Sequence, residues 1–587
     1  MNSHSAIIKA LWFIWYTAAS LSIAQPPLPP FLQHASTWAQ KTIETLSLRE
    51  KIGQLFIVPL WCDDGYLASK STAIDTATAS VYTNDPKQIE ALIRDYHVGG
   101  VIFLGSSTLA HQITLTNHYQ NISTIPLLIA QDCEWGLTMR IPEAIRYPRA
   151  LTLGAITDLS LIYEIGKEIG IQCKAIGVHL NCAPVADINN NPYNPVINDR
   201  SFGEDTHAVT VHSVAFMRGM QDAGILACAK HFPGHGDTTT DSHEQLPCIP
   251  HSLERLYHTE FVPFIAHIIQ GVSCIMLAHL EIPALEPQPG RPSSMSPAVV
   301  TQTLGNTLQF QGLKITDAMG MRAILNHYKP GYAEFEAILA GNDCIVCPLD
   351  VPTAITLVED ALQKGMVTEA DINQRVLKIL QAKEYLNLHN NRLTSLEDAL
   401  QIVHRPAARA LHNKLYRAAI TTVVTPAHNN ILDTLFSSPT QHLPIIIRIG
   451  ATDNNHPLKK QYPDILSIDL AHTFTDELLV KTIEQVGDTH TVIVEIHSSN
   501  KHAKQNFGIK KNSILLVQKL RALQKKIILI LFANPSSRAL FDQVDACIYA
   551  YEDLDTTQQA VADVLHGLLP SAGKLPINPN LLTNKSV

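Results

Sequence analysis

Lysine and arginine nowhere gather into a stripe in this 587-residue chain, and its formal net charge of −9 is spread along the length. The basic footprint that a nucleic-acid partner requires is therefore missing. Charged residues make up only 17% of the sequence against 46% apolar, and no long polar or low-complexity tract interrupts it, which excludes a disordered chain. Neither a Gly-x-Gly-x-x-Gly nor a Walker pattern occurs, so nothing supports a bound nucleotide. The ten cysteines follow no regular spacing. Most sit inside apolar runs (Cys182, Cys228, Cys274, Cys344, Cys347), which reads as buried free thiols rather than a disulfide framework. Cys344 and Cys347 have Cys-x-x-Cys spacing, but residues three apart in a strand face opposite ways, so a redox or zinc pair is the poorer reading.

One apolar segment stands apart. Lys9 is followed by the run Ala10 to Ala24, with Ser22 and Ala24 just before Gln25. The run is short for a membrane span of about 20 residues. Its order (basic, apolar, small) is that of a cleaved secretory signal. Residues 1–24 are thus expected to direct export, to a periplasm or to the outside; an uncleaved anchor is the alternative, and the sole route to a membrane. The residue after the cleavage point is not cysteine, which argues against a lipoprotein.

The length calls for two domains. Between about 50 and 390, eight short apolar runs alternate with longer amphipathic segments: 55–59, 98–105, 126–132, 178–187, 224–231, 272–281, 312–319 and 342–350. Near-continuous apolarity marks strands buried on both faces, and eight such units point to a closed parallel (β/α)8 barrel of the TIM type. Asp132, Asp187, Lys230, His231, His279, Glu281 and Asp317 stand at the C-terminal edges of these runs. That edge is where such barrels build their active sites. A charged, helical stretch follows, and then a second β/α series reads as an α/β sandwich. The expected division is a barrel over 35–385, a helical linker over 386–420 and the sandwich over 421–587. Nothing in the sequence sets an oligomeric state.

The densest chemistry is "KHFPGHGDTTTDSH", Lys230 to His243. A metal site built from His231, His235, Asp237 and His243 fits poorly, because a strand that turns through Pro233-Gly234 and Gly236 scatters these side chains. Asp241 and His243 are two apart, close enough for the carboxylate to orient the imidazole and favour its protonated form, which suits a general acid. In "KITDAMGM", Asp317 lies just past a run end, where a carboxylate is placed to act as a nucleophile. An acid and a carboxylate are what glycoside cleavage requires, although the same parts fit several hydrolytic reactions.

The long motif resembles the signature of family 3 glycoside hydrolases, in their β-N-acetylglucosaminidase branch. The resemblance extends over "DCEWGLTMR" (132–140), "APVADINNNPYNPVINDRSFGED" (183–205), "KITDAMGM" (314–321) and, near the end, "IYAYED" and "GKLPI". It implies that Asp317 is the nucleophile, His243 the acid/base and Asp241 its partner. It places Asp132, Arg140, Arg200, Lys230 and His231 on the hydroxyls and acetamido group of the sugar, residue types suited to strong hydrogen bonds with it. Glu134 matches an acidic position of the family, but Trp135 replaces a commoner glycine. His235, Asp237, Asp187 and His279 are better read as structural, and a plain Asp132–Arg200 salt bridge capping the barrel is the bland alternative for that pair.

The implied enzyme is a retaining exo-β-N-acetylglucosaminidase without cofactor or metal, acting on N-acetylglucosamine-containing glycans, either cell-wall muropeptides or chitin-type oligosaccharides. A histidine acid avoids a second negative charge beside the nucleophile, which suits an anionic acceptor. A phosphorylase is therefore the near alternative, and a non-catalytic binder of peptidoglycan fragments the more remote one.

Overall fold

The computed structural model describes residues 26–63, 85–241, 245–428, 430–436, 443–451 and 456–579. The signal segment 1–24 and His243 lie outside the described residues. Each of the eight apolar runs contains a strand: β1 (Phe56–Asp63), β2 (Gly100–Ser106), β3 (Leu128–Gln131), β4 (Leu180–Asn181), β5 (Leu226–Phe232), β6 (Cys274–Leu277), β7 (Leu313–Thr316) and β8 (Ile345–Val346). They pair in parallel in the order β7-β6-β5-β4-β3-β2-β1-β8. The ring closes where the Thr316 amide donates to the Cys344 carbonyl at 3.0 Å and Ile315 bridges Cys344. The TIM-type barrel is present, and its strand residues are buried because helices cover the outer face and side chains fill the inner one.

The helices form for local reasons and dock by shape. Asp158 caps Leu159–Ala175, its carboxylate accepting from the Ser160 amide at 2.9 Å, and the helix buries Leu161, Ile162, Ile165, Ile169 and Cys173. It packs against Thr206–Asp222 so closely that a Cβ on Gly166 would stand 2.1 Å from the Phe216 carbonyl oxygen. Only glycine permits that approach.

After the barrel, helices Leu396–Val403 and Pro406–Ala419 lead into a second sheet. Its strands are β9 (Thr421–Val424), β10 (Ile445–Ile449), β11 (Ser467–Leu470), β12 (Thr491–His497), β13 (Lys526–Phe532) and β14 (Ala546–Tyr549). The order is β11-β10-β12-β13-β14-β9, parallel except for β9, which runs antiparallel to β14. Helices Asp476–Val486, Lys511–Ala522 and Asp555–Leu565 accompany it, as an α/β sandwich requires. The edge strand β11 is absent from the sequence reading because it is short and half-exposed, and so lacks a buried apolar run. Among the described residues no helix is long and apolar enough to cross a membrane.

One carboxylate ties the two domains together. Glu552, just beyond β14, is buried and accepts from Arg146 Nη2 at 2.6 Å, the Arg149 amide at 2.9 Å and Thr152 Oγ1 at 2.9 Å, all in the barrel domain. Tyr416 Oη, from the linker helix, approaches it at 3.3 Å. Removing a buried charge leaves its partners uncompensated, at a typical cost of about 3 kcal/mol. Glu552→Ala is therefore expected to destabilise the protein by that order, read as a lower urea midpoint, and to separate domain unfolding into two transitions; an unchanged, single transition contradicts this role.

Candidate active site

The C-terminal edge of the barrel carries a run of alternating charges. Lys230, on β5, is almost wholly buried, and its ammonium stands 2.8 Å from Asp132 Oδ1 and 2.8 Å from Glu134 Oε1. Asp132 follows β3 and also accepts from Arg140 Nη2 at 3.1 Å. Arg200 clasps Glu134 with two nitrogens, Nη2 at 2.7 Å from Oε1 and Nε at 3.0 Å from Oε2. The alternative of a plain Asp132–Arg200 bridge is not the pairing formed; each of the two has another partner.

Energetics follow the geometry. Burial pushes the Asp132 carboxyl up, but Lys230 and Arg140 outweigh it and hold the group below its ordinary value. Burial acts likewise on Glu134, and Arg200 with Lys230 carries it well below the usual range. On Lys230 burial favours the neutral amine, yet the two carboxylates prevail and raise its pKa. All members are charged, so the array presents fixed donors and acceptors at the cleft.

Consecutive residues Lys230 and His231 both serve this edge because the pairing of β5 with β6 shifts register between Ala229 and Phe232. His231 directs Nδ1 to Asp187 Oδ2 at 2.7 Å, which leaves Nε2 near Arg200 Nη2 at 3.5 Å. Asp187, fully buried, also accepts from the His231 amide at 3.2 Å and the His235 amide at 2.7 Å. The residue set aside in the sequence as a strand-end carboxylate thus anchors both the ring of His231 and the turn after β5. Its signal was its place in the resembling stretch 183–205. Gly236 completes the turn by close approach: a Cβ there would meet the Ile188 carbonyl oxygen at 1.8 Å. His235 and Asp237 hold this loop, through Thr238 Oγ1 at 3.0 Å and His251 Nε2 at 2.9 Å respectively.

Asp317 follows β7, and its Oδ1 accepts from the Ala318 amide at 2.8 Å. Burial raises its pKa, but the charges of His231 and His279, the Ala318 amide and Lys230 overcome this and draw it down to about 2. The balance favours the ionised carboxylate. His279 binds Ser294 Oγ at 2.7 Å and the Ala318 carbonyl at 3.0 Å, a structural role beside Asp317. Asp241 ends the described part of the loop, half-buried, with its carbonyl accepting from the Gln245 amide at 3.0 Å. Trp135 is covered by the Arg149 guanidinium, 4.1 Å from the ring centroid. Among the described residues no group of three or more His, Cys, Asp or Glu is arranged to hold a metal ion.

Comparison with known proteins follows this geometry. The model of the glycosyl hydrolase family 3 N-terminal domain matches residues 47–382. Beta-hexosaminidase A of Pseudoalteromonas piscicida is 31% identical over 421 residues, covering 66% of this chain and 69% of its own. Beta-hexosaminidase LpqI of Mycobacterium tuberculosis is 30% identical over 314 residues, covering 52% of this chain and 80% of its own. The structure of a glycoside hydrolase family 3 beta-N-acetylglucosaminidase from Paenibacillus sp. str. FPU-7 superposes with a TM-score of 0.72 at 28% identity, over 92% of this chain and all of that one. A beta-glucoside phosphorylase, BglX, shares the fold, with a TM-score of 0.75 at 21% identity over 94% of this chain and 98% of its own.

Burial drives the His235 pKa down to about 4, and those of His267 to about 4 and His179 to about 3. In the unfolded chain these rings titrate near 6.5, so as pH falls below that value the unfolded state binds more protons and stability falls. The urea midpoint is expected to drop steadily between pH 6.5 and pH 4; a midpoint flat across that window contradicts neutral burial of these rings.

Proposed function

We propose that this chain, which belongs to glycosyl hydrolase family 3 and is a glycoside hydrolase, acts as a retaining exo-β-N-acetylglucosaminidase on cell-wall muropeptides or chitin-type oligosaccharides. The observation that carries the reading is Asp317, its carboxylate held by the Ala318 amide just past β7 at the same barrel edge as the array of charges suited to sugar hydroxyls, with a lowered pKa that keeps it ionised. The printed names of the relatives, two beta-hexosaminidases and a beta-N-acetylglucosaminidase, support the choice of sugar.

In the first displacement the Asp317 carboxylate forms a bond to the anomeric carbon as the glycosidic C–O bond breaks. The departing oxygen takes a proton from His243, oriented by Asp241. In the second, His243 accepts a proton from water, the water oxygen attacks the anomeric carbon and the Asp317 ester bond breaks. Two inversions give net retention. Asp132, Arg140, Arg200, Lys230 and His231 bind the sugar, with Glu134 as the counter-charge that keeps Arg200 and Lys230 in place. His243 takes its role from the motif alone.

Asp317→Asn keeps shape and removes the nucleophile, so turnover of an aryl β-N-acetylglucosaminide is expected to fall at least about 10³-fold with folding intact. Unchanged turnover sinks the assignment. Product analysis on defined muropeptides and chitobiose, in phosphate and in a non-phosphate buffer, tests the reaction itself. Free N-acetylglucosamine, first released as the β-anomer in both buffers, is the expected result. Sugar-1-phosphate as the main product in phosphate replaces the hydrolase with a phosphorylase.

A further inference from the structure

Arg200 lies on a three-residue turn, Asn198–Arg200, and the second domain grips its first two residues. Asn198 Nδ2 donates to the Lys501 carbonyl at 2.9 Å, and Asn534 Nδ2 donates to Asn198 Oδ1 at 2.9 Å. Lys501 follows β12 and Asn534 follows β13, so both bonds come from the C-terminal edge of the second sheet. Asp199 stands between the domains, 3.3 Å from Arg149 Nη1 of the barrel and 3.7 Å from Lys501 Nζ. The third residue, Arg200, reaches back to Glu134.

The barrel holds the Asn198 side chain weakly. Its one bond there, to the Asn194 carbonyl, is long at 3.4 Å. The Asn198 backbone is left-handed, with φ at +40°, a conformation that side chains other than glycine and asparagine disfavour. Buried polar atoms need partners, and for this amide the second domain supplies the two good ones. Both grips are themselves fixed. Asn534 Oδ1 accepts from the Ser536 amide at 3.0 Å, and Asn500 Oδ1 accepts from the His502 amide at 2.8 Å, pinning the loop that carries Lys501.

We propose that Asn534 and Lys501 of the second domain, with Asn198, are positioning residues for substrate binding: they clamp the Asn198–Arg200 turn and so set the Arg200 guanidinium against Glu134 and the sugar. The inference rests on the glycosidase reading, in which Arg200 binds sugar. The second domain is then part of the binding machinery without touching substrate.

The test uses the full-length protein and compares kcat and KM on an aryl β-N-acetylglucosaminide, the calorimetric Kd for N-acetylglucosamine, and thermal melting. Asn534→Ala and Asn198→Gly, the latter keeping the left-handed backbone, are expected to raise KM and Kd about tenfold, with kcat changed less than about threefold. Lys501→Met keeps the main-chain carbonyl and removes only the 3.7 Å approach to Asp199, so it is expected to raise KM less than Asn534→Ala does, with Lys501→Arg restoring wild-type KM. Glu204→Ala weakens the domain junction elsewhere, where the Glu204 carboxylate accepts from the Asn578 amide at 2.8 Å, and is expected to leave KM alone. Should Asn198→Gly fail to fold, Asn534→Ala decides. Unchanged KM and Kd in folded Asn534→Ala overturn the clamp, as does an equal rise in Glu204→Ala. Wild-type protein that neither cleaves the aryl sugar nor binds N-acetylglucosamine overturns the glycosidase reading and the clamp together, whereas an active wild type with silent variants overturns the clamp alone.

Discussion

The ammonium of Lys230, sealed at the barrel edge between Asp132 and Glu134, is the group on which the rest of the site depends. A buried lysine is stable as a cation only when nearby carboxylates offset the loss of water. Those carboxylates are themselves buried and need further cations, which Arg140 and Arg200 provide. The five groups therefore support one another. Removing Asp132 or Glu134 leaves an arginine without its carboxylate, and removing a cation leaves a carboxylate with one partner instead of two. What the protein gains is a set of hydrogen-bonding groups already in place, so that on the proposed reading less reorganisation remains when a sugar binds.

A separate chain of bonds governs the second part of the edge. Asp187 holds one imidazole nitrogen of His231 and two main-chain amides, that of His231 near the end of β5 and that of His235 in the turn after it. It does so from full burial, where a carboxylate with three donors stays ionised at no risk of drifting into a solvated rotamer. His231 thereby keeps a fixed ring, its Nε2 beside the Arg200 guanidinium.

Much of this was legible in the chain. The eight barrel runs declared themselves because a strand covered on both faces must be apolar throughout, and all eight are strands. β11 was not, because an edge strand with half-exposed residues carries no such pattern. Lys230, His231, Asp132, Arg140 and Arg200 were recognised from the motifs, and the structure brings them to one edge. The pairing was not legible: an Asp132–Arg200 bridge was the bland alternative, and the partner of Arg200 is Glu134, because two carboxylates two residues apart cannot be ranked without coordinates. Least visible were the bonds from Asn198 to Lys501 and Asn534, since residues some three hundred positions apart leave no periodic trace.

The cysteines carry a practical consequence. All ten are free thiols, and nine are buried in the core, where neither oxidant nor alkylating reagent has ready access. Cys248 alone is exposed, seven residues beyond Asp241 on the same excursion after β5, and the main chain on either side of it pairs with Glu281. The native protein thus carries one addressable handle beside the loop that bears Asp241 and His243. A spin label or fluorophore attached there reports on that loop without any cysteine having to be removed first.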